Sequence, residues 1–229
     1  MKTAVVQGIC AAREAFPISG TLFYWMIREK NIPDNSRGAG RREYMGGENV
    51  VSVEPIRDKA IYHKIKSDLY QWNEKYYIMF LMGTLLALRI NEILKLRVGD
   101  VANKKTHTFC QSKTGKEITI AFSPELRKAL KYYCEGRDPQ EALIPARDNE
   151  FKPLSRRMAW EVIHKIGERY GLNLGTHSMR KTCAYHYYRA TKDLATIKVW
   201  LNHSAERDTL TYIGVTKERV TQAMINFKI

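Results

Sequence analysis

His177 and Arg180 are the residues best placed in this sequence to hold an anion. They lie three residues apart, so on a helix they share one face. A helix predicted from residue 178 begins beside them, and the free amides and positive dipole end of a helix start attract negative charge. A histidine that caps the helix and an arginine in a surface salt bridge would explain the same pair, so both interpretations stay open at this point.

Four further residues have polar groups suited to phosphate chemistry, and each has an ordinary explanation as well. Arg89 ends an apolar stretch, where an arginine commonly reaches solvent or pairs with a neighbour such as Glu92. Lys113 lies at the tip of a predicted hairpin, where an exposed lysine is common. His203 precedes Tyr212 by nine residues across a polar joint, and core packing alone would explain one tyrosine among 13.

The elements that must position these residues are mostly helices. Two segments rich in β-branched residues, 106–112 and 116–122, flank Lys113-Thr114-Gly115 and predict a β-hairpin. Ser123-Pro124-Glu125 is a strong helix start, because it supplies an N-cap hydroxyl, a proline at the first position and an early acid. Apolar spacing and start signals predict helices over 58–72, 75–88, 92–96, 125–134, 155–170, 178–190, 193–201 and 217–226. The fold class is therefore α+β, a mainly α-helical domain with a small antiparallel β-hairpin.

The composition indicates a partner with many negative charges. Lysine and arginine number 38 against 24 acids, a formal charge of +14, which suits DNA, RNA, a membrane surface or a ribosome. The four cysteines are scattered and predict neither a disulfide framework nor a zinc site, which favours a reducing cytoplasm. The longest apolar stretch, 76–88, is too short to span a bilayer, and the N-terminus lacks the pattern of a signal peptide.

A change in composition between residues 31 and 49 predicts a domain boundary, because glycine, proline and arginine crowd together there. We therefore expect a small N-terminal unit over 1–50, with a basic Gly-rich linker, and a main domain over 51–229. Residues 19–33 loosely resemble small winged helix-turn-helix proteins such as excisionases. In such a unit the helix would enter a DNA groove, and Arg41 and Arg42 of the following loop would contact DNA phosphates. A helical extension that braces the main domain is the equally ranked alternative.

Taken together, the candidate residues resemble the catalytic domain of the tyrosine recombinases, the phage integrase family. Four segments match in order: Leu86–Leu94 the first arginine box, Lys113-Thr114-Gly115 the hairpin lysine, His177-x-x-Arg180 the second box, and Leu201-Asn202-His203 with Tyr212 the final box. The match extends from about residue 58 to the C-terminus. Asn202 replaces the usual glycine of the final box, and about fifty preceding residues are too few for the family's core-binding domain.

The resemblance implies a site-specific recombinase or integrase that needs neither metal nor cofactor. Tyr212 would attack the scissile phosphate and stay joined to its 3′ side, while Arg89 and Arg180 hold that phosphate. The two histidines of the boxes would donate to the phosphate or accept the phenol proton, and Lys113 would protonate the departing 5′ oxygen. Glu92 either orients Arg89 or forms a surface pair with it.

The resemblance also predicts partners and location. We expect double-stranded DNA, contacted by Lys116 and Lys181 besides the linker arginines, and a homo-oligomer (dimer or tetramer) on that DNA. An accessory DNA-bending protein would be a further partner, no membrane is involved, and the location would be cytoplasmic and nucleoid-associated. The tail over 216–229 either packs on its own domain or docks on a neighbouring protomer. Two alternatives remain: a type IB topoisomerase-like nicking-closing enzyme and a non-catalytic DNA-binding regulator.

Overall fold

The structure, a computed structural model, describes residues 53–110, 115, 117–202, 209–210, 212 and 224–227. Its helices are α1 Lys59–Trp72, α2 Glu74–Leu86, α3 Ile90–Lys95, α4 Val98–Val101, α5 Pro124–Cys134, α6 Arg156–Arg169, α7 Thr176–Thr191 and α8 Leu194–Leu201. Its strands are β1 Thr106–Cys110 and β2 Glu117–Ala121. The predicted fold class, mainly helical with one small antiparallel sheet, is confirmed.

Helix α2 is apolar around most of its circumference and forms the centre of the domain. It packs against α1, α5 and α7, and its fully buried side chains include Phe80 and Leu81. Gly83 allows α7 to approach closely, because a Cβ at this glycine would lie 2.7 Å from the Cβ of Met179. The close approach of α2 and α7 brings the end of α2 next to the first turns of α7.

The β-hairpin pairs β1 and β2 in antiparallel register, from Thr106 opposite Ala121 to Cys110 opposite Glu117. The hydroxyls of Thr108 and Thr119 lie 2.8 Å apart across its exposed face. The hairpin predicted from the β-branched segments is thus confirmed.

Local capping explains where several helices begin and end. The Ser123 hydroxyl accepts from the amide of Leu126 at 3.3 Å, as predicted for the start of α5. Helix α2 ends at Leu86 and not at 88, because Ala87 takes a left-handed conformation with φ of 53°. Residues 98–101 form a short helix that is not among the predicted helices, since Asp100 accepts the amide of Arg97 at 2.8 Å and caps it. Of the predicted tail helix 217–226, residues 224–226 are helical and the rest lie outside the described residues.

A second, smaller apolar cluster lies where α7 and α8 meet the end of α2. Its buried members are Ala87, Cys183, Ala184, Ile197 and Leu201, and the ring of Tyr212 packs against them. The indole of Trp200 donates to the carbonyl of Leu86 at 3.0 Å and fastens α8 to α2. This cluster lies beneath the residues of the candidate site. Within the described ranges, no helix has the length and apolarity that a membrane crossing would need.

Candidate active site

Arg89 is fixed by a buried carboxylate at the start of α3. Its backbone amide donates to Glu92 Oε2 at 2.8 Å, and its Nη1 donates to Glu92 Oε1 at 3.0 Å. Glu92 is only 7% exposed, whereas the side chain of Arg89 is 27% exposed. The exposed part of the guanidinium can therefore meet a ligand while its inner edge is held. A surface ion pair, one of the two predicted roles of Glu92, is excluded by this burial.

Arg180 lies inside the domain and joins three segments of the chain. It is 4% exposed, its Nη1 donates to the carbonyl of Ala87, and its Nη2 donates to the carbonyl of Leu201 at 2.6 Å. Burial is the main effect that lowers its pKa, yet a guanidinium stays charged in proteins. A surface salt bridge, the ordinary explanation offered for Arg180 from the sequence, is therefore wrong.

His177 lies in the first turn of α7, on the exposed side of the helix. The N-cap residue Gly175 donates its amide to the Ser178 hydroxyl at 3.1 Å. The pKa of His177 is lowered by desolvation first and then by the positive charges of Arg180, Arg156, Lys181 and Arg89, in that order. The imidazole is therefore neutral near pH 7 and lies in a strongly positive field, which is an environment suited to an anionic ligand.

Tyr212 brings its phenol into the same positive field. Its hydroxyl oxygen is buried, and burial raises the pKa of Tyr212 to about 12. The charges of Arg180 and Arg89 oppose this rise, so both guanidinium groups lie near enough to act on the phenol. The ring of Tyr212 packs in the core, as the ordinary explanation predicted. Its hydroxyl, however, is close enough to Arg180 and Arg89 for their charges to act on it.

Lys181 follows Arg180 on α7 but has different neighbours. Its Nζ donates to the carbonyl of Val53 at 2.7 Å and lies 5.4 Å from the centroid of the Tyr212 ring. A role for Lys181 in DNA binding remains a prediction.

Four of the six predicted catalytic residues can be placed, and the structure brings them together: Arg89, His177, Arg180 and Tyr212. The other two, and three of the four predicted DNA contacts, lie outside the described residues: Lys113, His203, Arg41, Arg42 and Lys116. The described arrangement combines two guanidinium groups, which bind phosphate well, with a neutral imidazole and a neutral phenol. In the described parts of the chain, no three His, Cys, Asp or Glu side chains are grouped to hold a metal ion.

Three contributors to the site were missed in the sequence because they act through the backbone or through an indole. The carbonyls of Ala87 and Leu201 hold Arg180, and Trp200 holds α8 in place. One signal was available in the sequence, which is that Asn202 stands where the family has glycine. In the structure each carbonyl lies at or beside a left-handed residue, Ala87 itself and Asn202 with φ of 52°. Asparagine tolerates this conformation best after glycine, so it can replace the glycine of the final box.

Known proteins are similar in sequence to about three quarters of this chain. The sequence model of the phage integrase family matches residues 56–219. The probable integrase/recombinase YoeC of Bacillus subtilis (strain 168) is 35% identical over 172 residues, which cover 75% of this chain and 94% of YoeC. Tyrosine recombinase XerA of Pyrococcus horikoshii is 27% identical over 169 residues, which cover 72% of this chain but only 59% of XerA.

Solved structures share the fold. A crystal structure of XerA recombinase superposes with a TM-score of 0.61 at 16% identity, over 77% of this chain and 67% of that one. The Tn1549 transposon integrase in complex with circular intermediate DNA gives a TM-score of 0.53 at 17% identity, over 76% of this chain and 64% of that one. The family match, covering well over half of the chain, confirms the resemblance found in the sequence: the chain belongs to the phage integrase family and is a tyrosine recombinase, an enzyme that cleaves and rejoins DNA.

Proposed function

We propose that Tyr212 is the nucleophile of a site-specific DNA recombinase and that Arg89, His177 and Arg180 bind the scissile phosphate. One observation carries this proposal: the charges of Arg89 and Arg180 act on both the Tyr212 phenol and the His177 imidazole. Two groups separated by 35 positions in the chain thus share one positive field. We expect a phosphate bound in that field to lie within reach of the phenol oxygen.

The proposed reaction conserves the number of phosphoester bonds. The phenol oxygen of Tyr212 attacks phosphorus, the bond from phosphorus to the 5′ oxygen breaks, and a 3′-phosphotyrosyl ester forms. The departing 5′ oxygen takes a proton, which we assign to Lys113 from its place in the family pattern. A 5′ hydroxyl of another strand reverses the step and releases Tyr212, so no nucleotide hydrolysis is needed.

Proton removal from the phenol is the step that the site must assist. With a pKa of about 12, about one phenol in 10⁵ is ionised at pH 7. His177 is a suitable acceptor, because its lowered pKa keeps the imidazole neutral. His203 would serve as the second histidine of the family pattern.

The two arginines are suited to the transition state in different ways. Arg89 presents a partly exposed guanidinium whose orientation the buried Glu92 fixes. Arg180 has five N–H groups, so the bonds to Ala87 and Leu201 do not exhaust it. A donor held in place before the reaction stabilises developing charge without reorganising, and removing one such donor typically costs about 10²–10³ in rate.

The wider assembly is part of the same proposal. Double-stranded DNA is the partner, supported by the net charge of +14 and by the DNA in the related Tn1549 complex. We assign residues 1–50 to a DNA-contacting or bracing unit and 51–229 to the catalytic domain. On DNA the enzyme would act as a dimer or tetramer, aided by an accessory DNA-bending protein, in the cytoplasm at the nucleoid.

A covalent trapping experiment tests the nucleophile. Nicked suicide duplexes tiled across the DNA that flanks the gene would be incubated with the full chain and separated on a denaturing gel. We expect wild-type protein to form an adduct with one or a few duplexes, and Tyr212→Phe to form none. Tyr187→Phe is a matched control, because Tyr187 packs on the same apolar cluster and should leave the adduct unchanged.

The same assay separates the alternatives. Tyr212→Phe protein that still forms an adduct would refute the assignment of the nucleophile. A wild-type chain that forms no adduct with any duplex, yet binds one specifically, would favour the non-catalytic regulator. Relaxation of supercoiled plasmid by a monomer without site preference would favour the topoisomerase-like enzyme.

A further inference from the structure

The segment that leads into α1 is bound along one side of α7. The amide of Ile56 donates to the Thr182 hydroxyl at 2.9 Å, and the carbonyl of Ile56 accepts from His186 Nε2 at 2.9 Å. The carbonyl of Val53 accepts from Lys181 Nζ at 2.7 Å. Ile56 is 1% exposed and belongs to the main core, which fixes the segment firmly.

The first residue of this segment also contacts the start of α7. A Cβ at Gly175, the N-cap of that helix, would lie 3.2 Å from Val53 Cγ1, so the valine side chain covers the helix start closely. Because His177 and Arg180 both lie on α7, the position of Val53 is linked to the helix that carries two of the proposed phosphate ligands.

Lys181 connects this segment to the proposed nucleophile. The same ammonium group that donates to Val53 lies 5.4 Å from the centroid of the Tyr212 ring, a cation–π distance. A cation over the ring restricts where the ring can lie, and a single charged group thereby joins residue 53 to residue 212. Lys181 is half-buried, and desolvation lowers its pKa.

We propose that Lys181 is a positioning residue that fixes the ring of Tyr212 for attack and ties it to the backbone at Val53. The inference rests on the proposed role of Tyr212 as nucleophile. A displacement of the backbone at residue 53 would therefore move the Lys181 side chain, and with it the ring of the nucleophile. Such a displacement could follow when the preceding residues bind DNA.

The competing assignment for Lys181 is a phosphate contact, as expected from the sequence. The two roles predict different kinetics. A phosphate contact contributes to DNA affinity and to its salt dependence, and its loss lowers the slope of log K against log salt by about one. A positioning residue contributes to the cleavage rate once DNA is bound.

The test compares Lys181→Met, Lys181→Arg and wild type in the full chain, with the suicide duplex that gives the strongest wild-type adduct. Single-turnover adduct formation would be timed at saturating duplex, and duplex affinity titrated at several salt concentrations. We expect Lys181→Met to slow adduct formation about 3- to 30-fold with little change in affinity. Lys181→Arg, which keeps a cation and donors, should recover most of the rate.

Lys165→Met is the matched control, because the Lys165 ammonium also lies 5.4 Å from an aromatic centroid, that of Trp72. It should cleave at the wild-type rate. Thermal unfolding would establish that the variants are folded, and Lys181→Gln would replace Lys181→Met if the latter does not fold.

The outcomes distinguish this inference from the proposed function. Wild-type cleavage by Lys181→Met at saturating duplex, with weaker binding and a shallower salt slope, would overturn the positioning role in favour of a phosphate contact. Wild-type cleavage with unchanged affinity would overturn both. Failure of the proposed function shows separately, as an adduct that forms in Tyr212→Phe or never forms in wild type.

Discussion

Arg180→Lys separates the two tasks that the structure gives this side chain, which are to hold the fold and to hold the phosphate. The guanidinium donates to the carbonyls of Ala87 and Leu201, which come from the end of α2 and the end of α8. A buried acceptor left without a donor costs about 1–3 kcal/mol. A lysine can reach one carbonyl but lacks the planar fork that reaches both. We therefore expect a loss of about 1–3 kcal/mol in the free energy of unfolding.

The catalytic loss should be larger than the stability loss. Removing one preorganised donor to a developing anion typically costs about 10²–10³ in rate, or about 2.7–4 kcal/mol of activation free energy. Stability would be measured by urea unfolding of the full chain, and the rate by single-turnover adduct formation under conditions where the variant is folded. The Arg89→Lys variant is the control. A lysine at position 89 keeps a cation beside Glu92, and the backbone amide still donates to that carboxylate. The rate loss should therefore be similar to that of Arg180→Lys, while the loss in the free energy of unfolding should be smaller.

Two results would refute this reasoning. If Arg180→Lys unfolds at the same urea concentration as wild type, the two carbonyl bonds do not contribute to the native state as the geometry implies. If it is folded and forms adduct at the wild-type rate, the guanidinium does not stabilise the transition state. A stability loss without a rate loss would leave Arg180 as a structural residue.

Three further predictions follow from local geometry. The rate of adduct formation should fall as the pH drops through the lowered pKa of His177, because the protonated ring cannot accept the phenol proton. The fall should come at a lower pH than for an ordinary histidine. A pH–rate profile that is unchanged in His177→Gln would contradict this. Asn202→Ala should destabilise the protein by about 1 kcal/mol, because φ is 52° there, whereas Asn202→Gly should unfold close to wild type in urea. Gly83→Ala should cost about 1–3 kcal/mol in the same assay, because the new methyl would meet Met179 at 2.7 Å; wild-type stability would show that the helices separate freely.

The sequence predicted those parts of the fold that depend on neighbouring residues. The start of α5 follows from the side chain of Ser123 and the ring of Pro124, and the hairpin follows from two β-branched segments. The short helix α4 was missed because glycine in a four-residue segment favours a turn. The Arg97 amide donates to the Asp100 carboxylate and caps this helix, but the same residues could form the same bond in a turn, so the sequence does not tell the two apart.

The sequence predicted which residues form the candidate site but not how deeply each side chain is buried. The spacing of His177 and Arg180 placed them together at a helix start, but it could not tell that His177 is exposed and Arg180 buried. That difference depends on the carbonyls of Ala87 and Leu201, which lie 93 and 21 positions away from Arg180. Such contacts are set by the packing of α2, α7 and α8 and not by any local pattern.

The balance of charges around Tyr212 decides which kind of attack the site can support. Burial outweighs Arg180 and Arg89 and raises the pKa of the phenol to about 12, so the guanidinium groups alone do not create a phenolate. A phosphate that enters the site offsets part of their positive charge, which weakens the electrostatic attraction that favours the ionised phenol. The same negative charge counters the cations that lower the pKa of His177, so the imidazole becomes a better base when DNA is present. We infer that the proton leaves the phenol as the bond to phosphorus forms, and that the enzyme without DNA holds an unreactive nucleophile.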